Sequence, residues 1–202
     1  MTADATSEPI SPDAPRTAIG GLGVDELGRR AGHLAWWSRT LFELTGTWAS
    51  ESGDSPARLL WAAHCHQFAW HADLWRERLP VRWDHPPELD VVPGIAGMDD
   101  LLELLRDIEV EGRPVGHVER LVAVTRGLVP RLLLATRQIG SAADPMLDAP
   151  TVRTAKLVAA DLIEQWAEGE SLVQRLLVEP DDARLAGDFL GRVEAVLAGT
   201  SW

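Results

Sequence analysis

The sequence predicts an all-α fold, a four-helix bundle with one long crossover connection and short extra helices. Three observations predict it. Apolar residues recur at steps of three and four over four long segments, no segment alternates apolar and polar residues as a half-buried strand does, and the connections between the long segments run short, long, short.

The first long helix is expected from Val24, with Leu27, Ala31, Leu34, Trp37, Leu41, Leu44 and Trp48 as its apolar stripe, until Ser and Gly break the pattern between Glu51 and Asp54. Ser55-Pro56 reads as an N-cap followed by a proline at the first helical position, where a missing N–H costs nothing. The second helix should run to about Leu79, before Pro80, with Leu60, His64, Phe68, His71 and Trp75 on one face. Prolines at 86, 87 and 93 exclude a regular helix between Val81 and Gly97, and a short helix is expected at Asp99 to Ile108. A third long helix, Val115 to Gln138, carries Val118, Leu121, Val122, Leu128, Leu132 and Ala135 inward and should kink at Pro130. The fourth, Thr151 to Val178, has Ala155, Val158, Leu162, Trp166, Val173 and Leu176 as its stripe, and a last helix covers Asp182 to Leu197.

Residues 1–22, rich in Ala, Pro, Ser, Thr and Asp, read as a disordered tail, and residues 23–202 as one helical domain. The single cysteine, Cys65, rules out an internal disulfide framework, and with no secretory signal or membrane-length apolar run the expected location is cytoplasmic. The formal charge of −12 argues against nucleic acid. Lys156 is the only lysine, a bias that together with abundant Ala, Leu and Gly has the texture of a high-G+C bacterial genome. Nine tryptophans with no tyrosine can fill a helical core or line a binding face.

About five residues join the first two helices and a turn around Ala143 to Pro150 joins the third and fourth, so each pair should lie antiparallel. Between the pairs, Pro80 to Pro114 is long enough to cross the length of a bundle. This plan, with His64-Cys-His-Gln-Phe-Ala-Trp-His71-Ala-Asp-Leu-Trp75 and Ala143-Asp-Pro-Met-Leu-Asp-Ala-Pro-Thr151, resembles ferritin-like proteins of high-G+C bacteria over most of residues 24–178. The resemblance is one of architecture and texture. Ferritin-like di-iron proteins carry Glu-x-x-His on two helices, but the residues three before the six histidines here are Arg30, Trp61, Ala63, Phe68, Arg82 and Pro114. A standard di-iron centre is therefore not expected, and no metal is favoured as cofactor.

The strongest chemical cluster is on the second helix. His64 and His71, seven apart, share a face with Trp61, Phe68 and Trp75, while His66, Trp70, Asp73 and Glu77 share another. Trp36, Thr40, Glu43 and Thr47 form a polar-aromatic face on the first helix, and Asp161, Glu164 and Glu168 follow helical spacing on the fourth. Were His64 and His71 to face Glu43 and Asp161, these four could act as catalytic residues or hold one iron, manganese or zinc. Trp36, Trp61, Phe68, Trp75 and His66 are the candidate ligand-binding residues. Each has a packing role as its alternative: a buried imidazole bonded to a carboxylate or carbonyl, a solvated row of glutamates, a half-exposed His33, an inert packed thiol at Cys65.

Two functions follow as expectations. The first is a small-molecule-binding or accessory partner subunit in bacterial metabolism, with a small molecule or a protein as partner and room for a homodimer. The second is a divergent metal-dependent or histidine-based enzyme acting on a small molecule.

Overall fold

The computed structural model describes residues 21–94, 97–106, 109–110 and 113–198, and its fold is all-α. The tail expected at residues 1–22 lies outside these residues except for Gly21 and Leu22, and Leu22 already packs against the core.

Helix α1 spans Val24–Glu51, with Asp25 and Glu26 in its first turn, where carboxylates oppose the positive end of the helix dipole. Helix α2 spans Ser55–Arg76. Its cap is Asp54 rather than Ser55: the Asp54 carboxylate accepts from the Ala57 N–H at 2.8 Å, which places Pro56 one position further in. Three connecting residues force α1 and α2 antiparallel, and they share the most extensive helix interface of the molecule. The backbones come close where Gly46 meets the Cys65 Sγ.

The chain then returns along α1. A 3-10 turn at Pro87–Asp90 lies so close to Gly32 that a methyl group there would collide with the Asp90 carbonyl, and Gly28 makes similar room for Pro80 and the Asp90 side chain. Arg82 anchors this stretch to Asp25 at 2.7 Å and to Asp90 at 2.5 Å. Helix α3, Met98–Arg106, and a two-residue antiparallel pair, β1 Glu109–Val110 with β2 Arg113–Pro114, complete the crossover.

The third long helix of the sequence reading is continuous but not uniform. It consists of α4, His117–Val122, a π-helical segment, Ala123–Leu128, and α5, Val129–Ala142. Pro130 explains the irregularity: it cannot donate a backbone bond and its ring would strike a carbonyl one turn back, so the preceding turn widens. The widened segment is held from outside. Arg126 grips Glu170 in a two-pronged ion pair of 2.9 and 2.7 Å, and Thr125 sits against Gly169, where an added Cβ would lie 2.5 Å from its hydroxyl.

Helix α6, Ala149–Leu176, packs antiparallel on α5 after a loop in which the Asp144 carboxylate accepts from the Met146 and Leu147 N–H groups at 2.8 Å. Helix α7, Pro180–Ala198, lays Ala186, Phe189, Val193 and Leu197 over α4, the π segment and α3. The result is two tight antiparallel pairs, α1 with α2 and α5 with α6. They meet along two sparser seams, α2 against α6 and α1 against α5. No described helix is long and apolar enough to cross a membrane.

The stripe of α6 departs from the sequence reading at one position. Trp166 is 43% exposed, and Gln165 is buried in its place. After Leu162 a step of three or of four continues a helical face equally well, and hydropathy alone favours the wrong one.

Candidate functional site

The inner face of α2 presents Trp61, His64, Phe68, His71 and Trp75, spaced three, four, three and four, so that all five point to one side. None is more than 2% exposed. Their rings form a column of edge-on contacts. Trp48 of α1 meets Trp61 at 5.2 Å between ring centres, and steps of 6.4, 6.3 and 6.2 Å lead through His64 and Phe68 to His71. Such pairs add about 0.5–1.5 kcal/mol each beyond the area they bury.

Along the seam with α6 runs a polar ladder. His71 Nε2 meets the Asp161 carboxylate at 2.9 Å, the Gln165 amide donates to the Gln67 carbonyl oxygen at 2.7 Å, and His64 Nε2 stands 3.4 Å from Glu168 without hydrogen-bond geometry. On α2 the rungs ascend as 64, 67 and 71 while on α6 they descend as 168, 165 and 161, the register that two antiparallel helices impose.

The electrostatics differ between the two imidazoles. Burial alone pushes His64 down to about 4, because Glu168 is half in water and its charge is screened. His71 is also lowered by burial, opposed by the hydrogen bond and the charge of Asp161. Both rings are therefore neutral near pH 7. A carboxylate only accepts, so the proton of neutral His71 sits on Nε2, and Nδ1 carries a lone pair. Neither His71 Nδ1 nor either His64 nitrogen has a hydrogen-bond partner among the described residues, and the same holds for Gln165 Oε1, Trp61 Nε1 and Trp75 Nε1. Each neutral imidazole keeps one unprotonated ring nitrogen that can accept a hydrogen bond, take a proton or bind a metal, whereas the indole N–H groups can only donate.

The structure thus brings His64, His71 and Asp161 onto one seam, with Trp61, Phe68 and Trp75 beside them. It does not bring Glu43 there. Glu43 lies on the exposed side of α1, paired with Arg39 at 3.1 Å, and the carboxylate facing His64 is Glu168. The four-residue metal set fails for a second reason: Phe68 stands between the two histidines, whose positions on α2 are about 10 Å apart along the axis. They cannot ligate one ion. Among the described residues no group of three or more His, Cys, Asp or Glu is gathered for iron, manganese or zinc. His66 is exposed on the far side of α2 and Trp36 is half-buried, edge-on to Trp37 at 5.4 Å.

Gln67, Gln165 and Glu168 complete the ladder; the sequence reading names Glu168 with Asp161 and Glu164 on one helix but does not set it opposite His64, and it names neither glutamine. The three- and four-residue offsets of Gln67 from the two histidines were the available signal. Cys65 is a packed thiol, its Sγ 3.5 Å from the Phe42 carbonyl, and burial raises it away from thiolate character. His33 lines a cavity of about 220 Å3 with Arg29, Arg30, Trp37 and Gln138. Its ring lies against Gly94, whose φ of +75° and lack of Cβ both suit that close approach. No family model, curated protein or solved structure matches this chain.

Proposed function

We propose that the chain is a four-helix bundle of ferritin-like connectivity that acts, without a di-iron centre, as a small-molecule-binding or accessory partner subunit in the bacterial cytoplasm. The two antiparallel helix pairs and the long crossover between them support the architecture. One observation carries the function. The inner face of α2 and the α6 residue opposite it bury polar atoms of Trp61, His64, His71, Trp75 and Gln165 that no described residue satisfies. Each such atom costs about 1–3 kcal/mol against a paired one, and a helix that only packs would use Leu, Ile and Val. An interior of mixed rings and open polar atoms suits recognition of a small molecule. Exposed Trp70 on α2 and Trp166 on α6 supply surface for a protein partner or a second copy of the chain.

The His71–Asp161 pair favours a second reading. A carboxylate that fixes the tautomer and leaves Nδ1 free is how a histidine is prepared as a general base or a metal ligand, which would make the chain a divergent enzyme.

Thermal melts of the wild-type chain and of His71→Ala against a library of small metabolites test the first reading. Compounds that raise the wild-type melting temperature by several degrees and leave the variant unmoved support it. A library in which nothing separates the two proteins counts against it.

A further inference from the structure

We infer that a second site, around Arg120 at the other end of α2, binds a small organic carboxylate. Two cavities of about 280 and 140 Å3 flank the same guanidinium and share Trp48, Glu51 and Arg120 in their walls. Arg106, Thr47 and Glu43, the last paired with Arg39, line the larger, and Trp61, Ser52 and His117 the smaller.

Arg120 is only 9% exposed, an unusual depth for an arginine in a chain of this size. Its guanidinium lies over the Trp48 ring at 5.4 Å from the centroid, within reach of a cation–π contact. One terminal nitrogen donates to Glu51 at 3.3 Å, a long contact to a half-exposed carboxylate, and its Nε has no partner among the described residues. Trp61, fully buried in the wall of the smaller cavity, has an Nε1–H without a partner as well. Both open groups are donors and neither can accept, so the ligand that satisfies them must offer acceptor oxygens. A guanidinium beside an indole presents the fork that a carboxylate matches, with Arg106 as a second cation and the Trp48 ring as an apolar wall.

The site shares Trp61 with the ring column of α2 but rests otherwise on Arg120, Arg106 and the two cavities, which the role assigned to the seam does not use. His71 stands ten residues, about 15 Å of helix, beyond Trp61. The test uses full-length protein labelled with 5-fluorotryptophan and followed by 19F NMR, with benzoate as probe and benzamide as its neutral counterpart. Benzoate should shift the Trp48 and Trp61 resonances saturably, benzamide should not, and His71→Ala should respond to benzoate as the wild type does. Arg106, exposed at the end of α3, can be changed without disturbing the core, so Arg106→Gln should melt like the wild type and weaken benzoate about tenfold, the effect of losing one charge-assisted contact. Arg120→Gln, if folded by circular dichroism, should abolish the response. An equal response to benzamide, no saturable response to benzoate, or unchanged affinity in Arg106→Gln overturns the assignment.

Discussion

Replacing His64 with leucine should remove an acid sensitivity that the fold carries at one residue. The wild-type imidazole is buried and held at about 4, while in the unfolded chain it titrates near 6.5. Below 6.5 the unfolded state takes up a proton that the folded state refuses. Stability contributed by this residue is therefore complete above pH 6.5 and is lost as the pH falls towards 4. The gap corresponds to about 3 kcal/mol, a large share of what a domain of this size has to lose. Leucine has similar bulk, does not titrate, and leaves no ring nitrogen unpaired, so its own effect on stability is independent of pH and small at pH 7. The assay is urea unfolding followed by circular dichroism, for both proteins, at intervals from pH 7.5 to 4. Carboxylates also titrate in this range, but they are common to both chains and cancel in the difference. The variant should gain on the wild type by about 3 kcal/mol across the interval. A difference that stays flat would show that folded His64 takes a proton readily, and that Glu168 stabilises it despite its exposure.

Two further outcomes follow from the geometry. Asp161→Ala leaves the Nε2–H of a fully buried imidazole without its acceptor and should cost about 1–3 kcal/mol in urea unfolding at pH 7; a loss under about 0.5 kcal/mol, the ordinary range for a surface change, would show that the pair is not structural. Gly169→Ala places a methyl group against Thr125 and should destabilise by about 1–3 kcal/mol, a loss largely recovered in the Gly169→Ala, Thr125→Ala double variant. Additive losses in the double variant would show that the π segment does not depend on this approach.

The helices were legible from the spacing of their apolar residues. The starts of α1 and α2 and the ends near Glu51 and Ala198 follow from apolar stripes, Pro56 and the Ser-Gly break. The seam was legible only in part. His64, Phe68, His71 and Trp75 share a face by spacing alone, and Asp161 lies on a face of its own helix. Which carboxylate meets which histidine depends on the register between two helices 90 residues apart, and no local pattern encodes that. Glu43 was placed with the histidines because it lies beside an aromatic face, yet its neighbour Leu44 takes the inward direction and Glu43 turns to Arg39. Gln165 was missed because its burial rests on one partner, Gln67, that exists only in the folded chain. The π segment has a visible cause in Pro130, although a kinked helix was the simpler expectation.

Metal content is the most direct test of the proposal that the histidine seam recognises its target without a metal. Untagged protein, loaded separately with iron, manganese and zinc and then freed of unbound ion, should retain well below one equivalent of each by elemental analysis, since Phe68 separates the two imidazoles and Glu43 lies elsewhere. One retained equivalent that disappears in His71→Ala would contradict it and make the chain a metal-dependent enzyme.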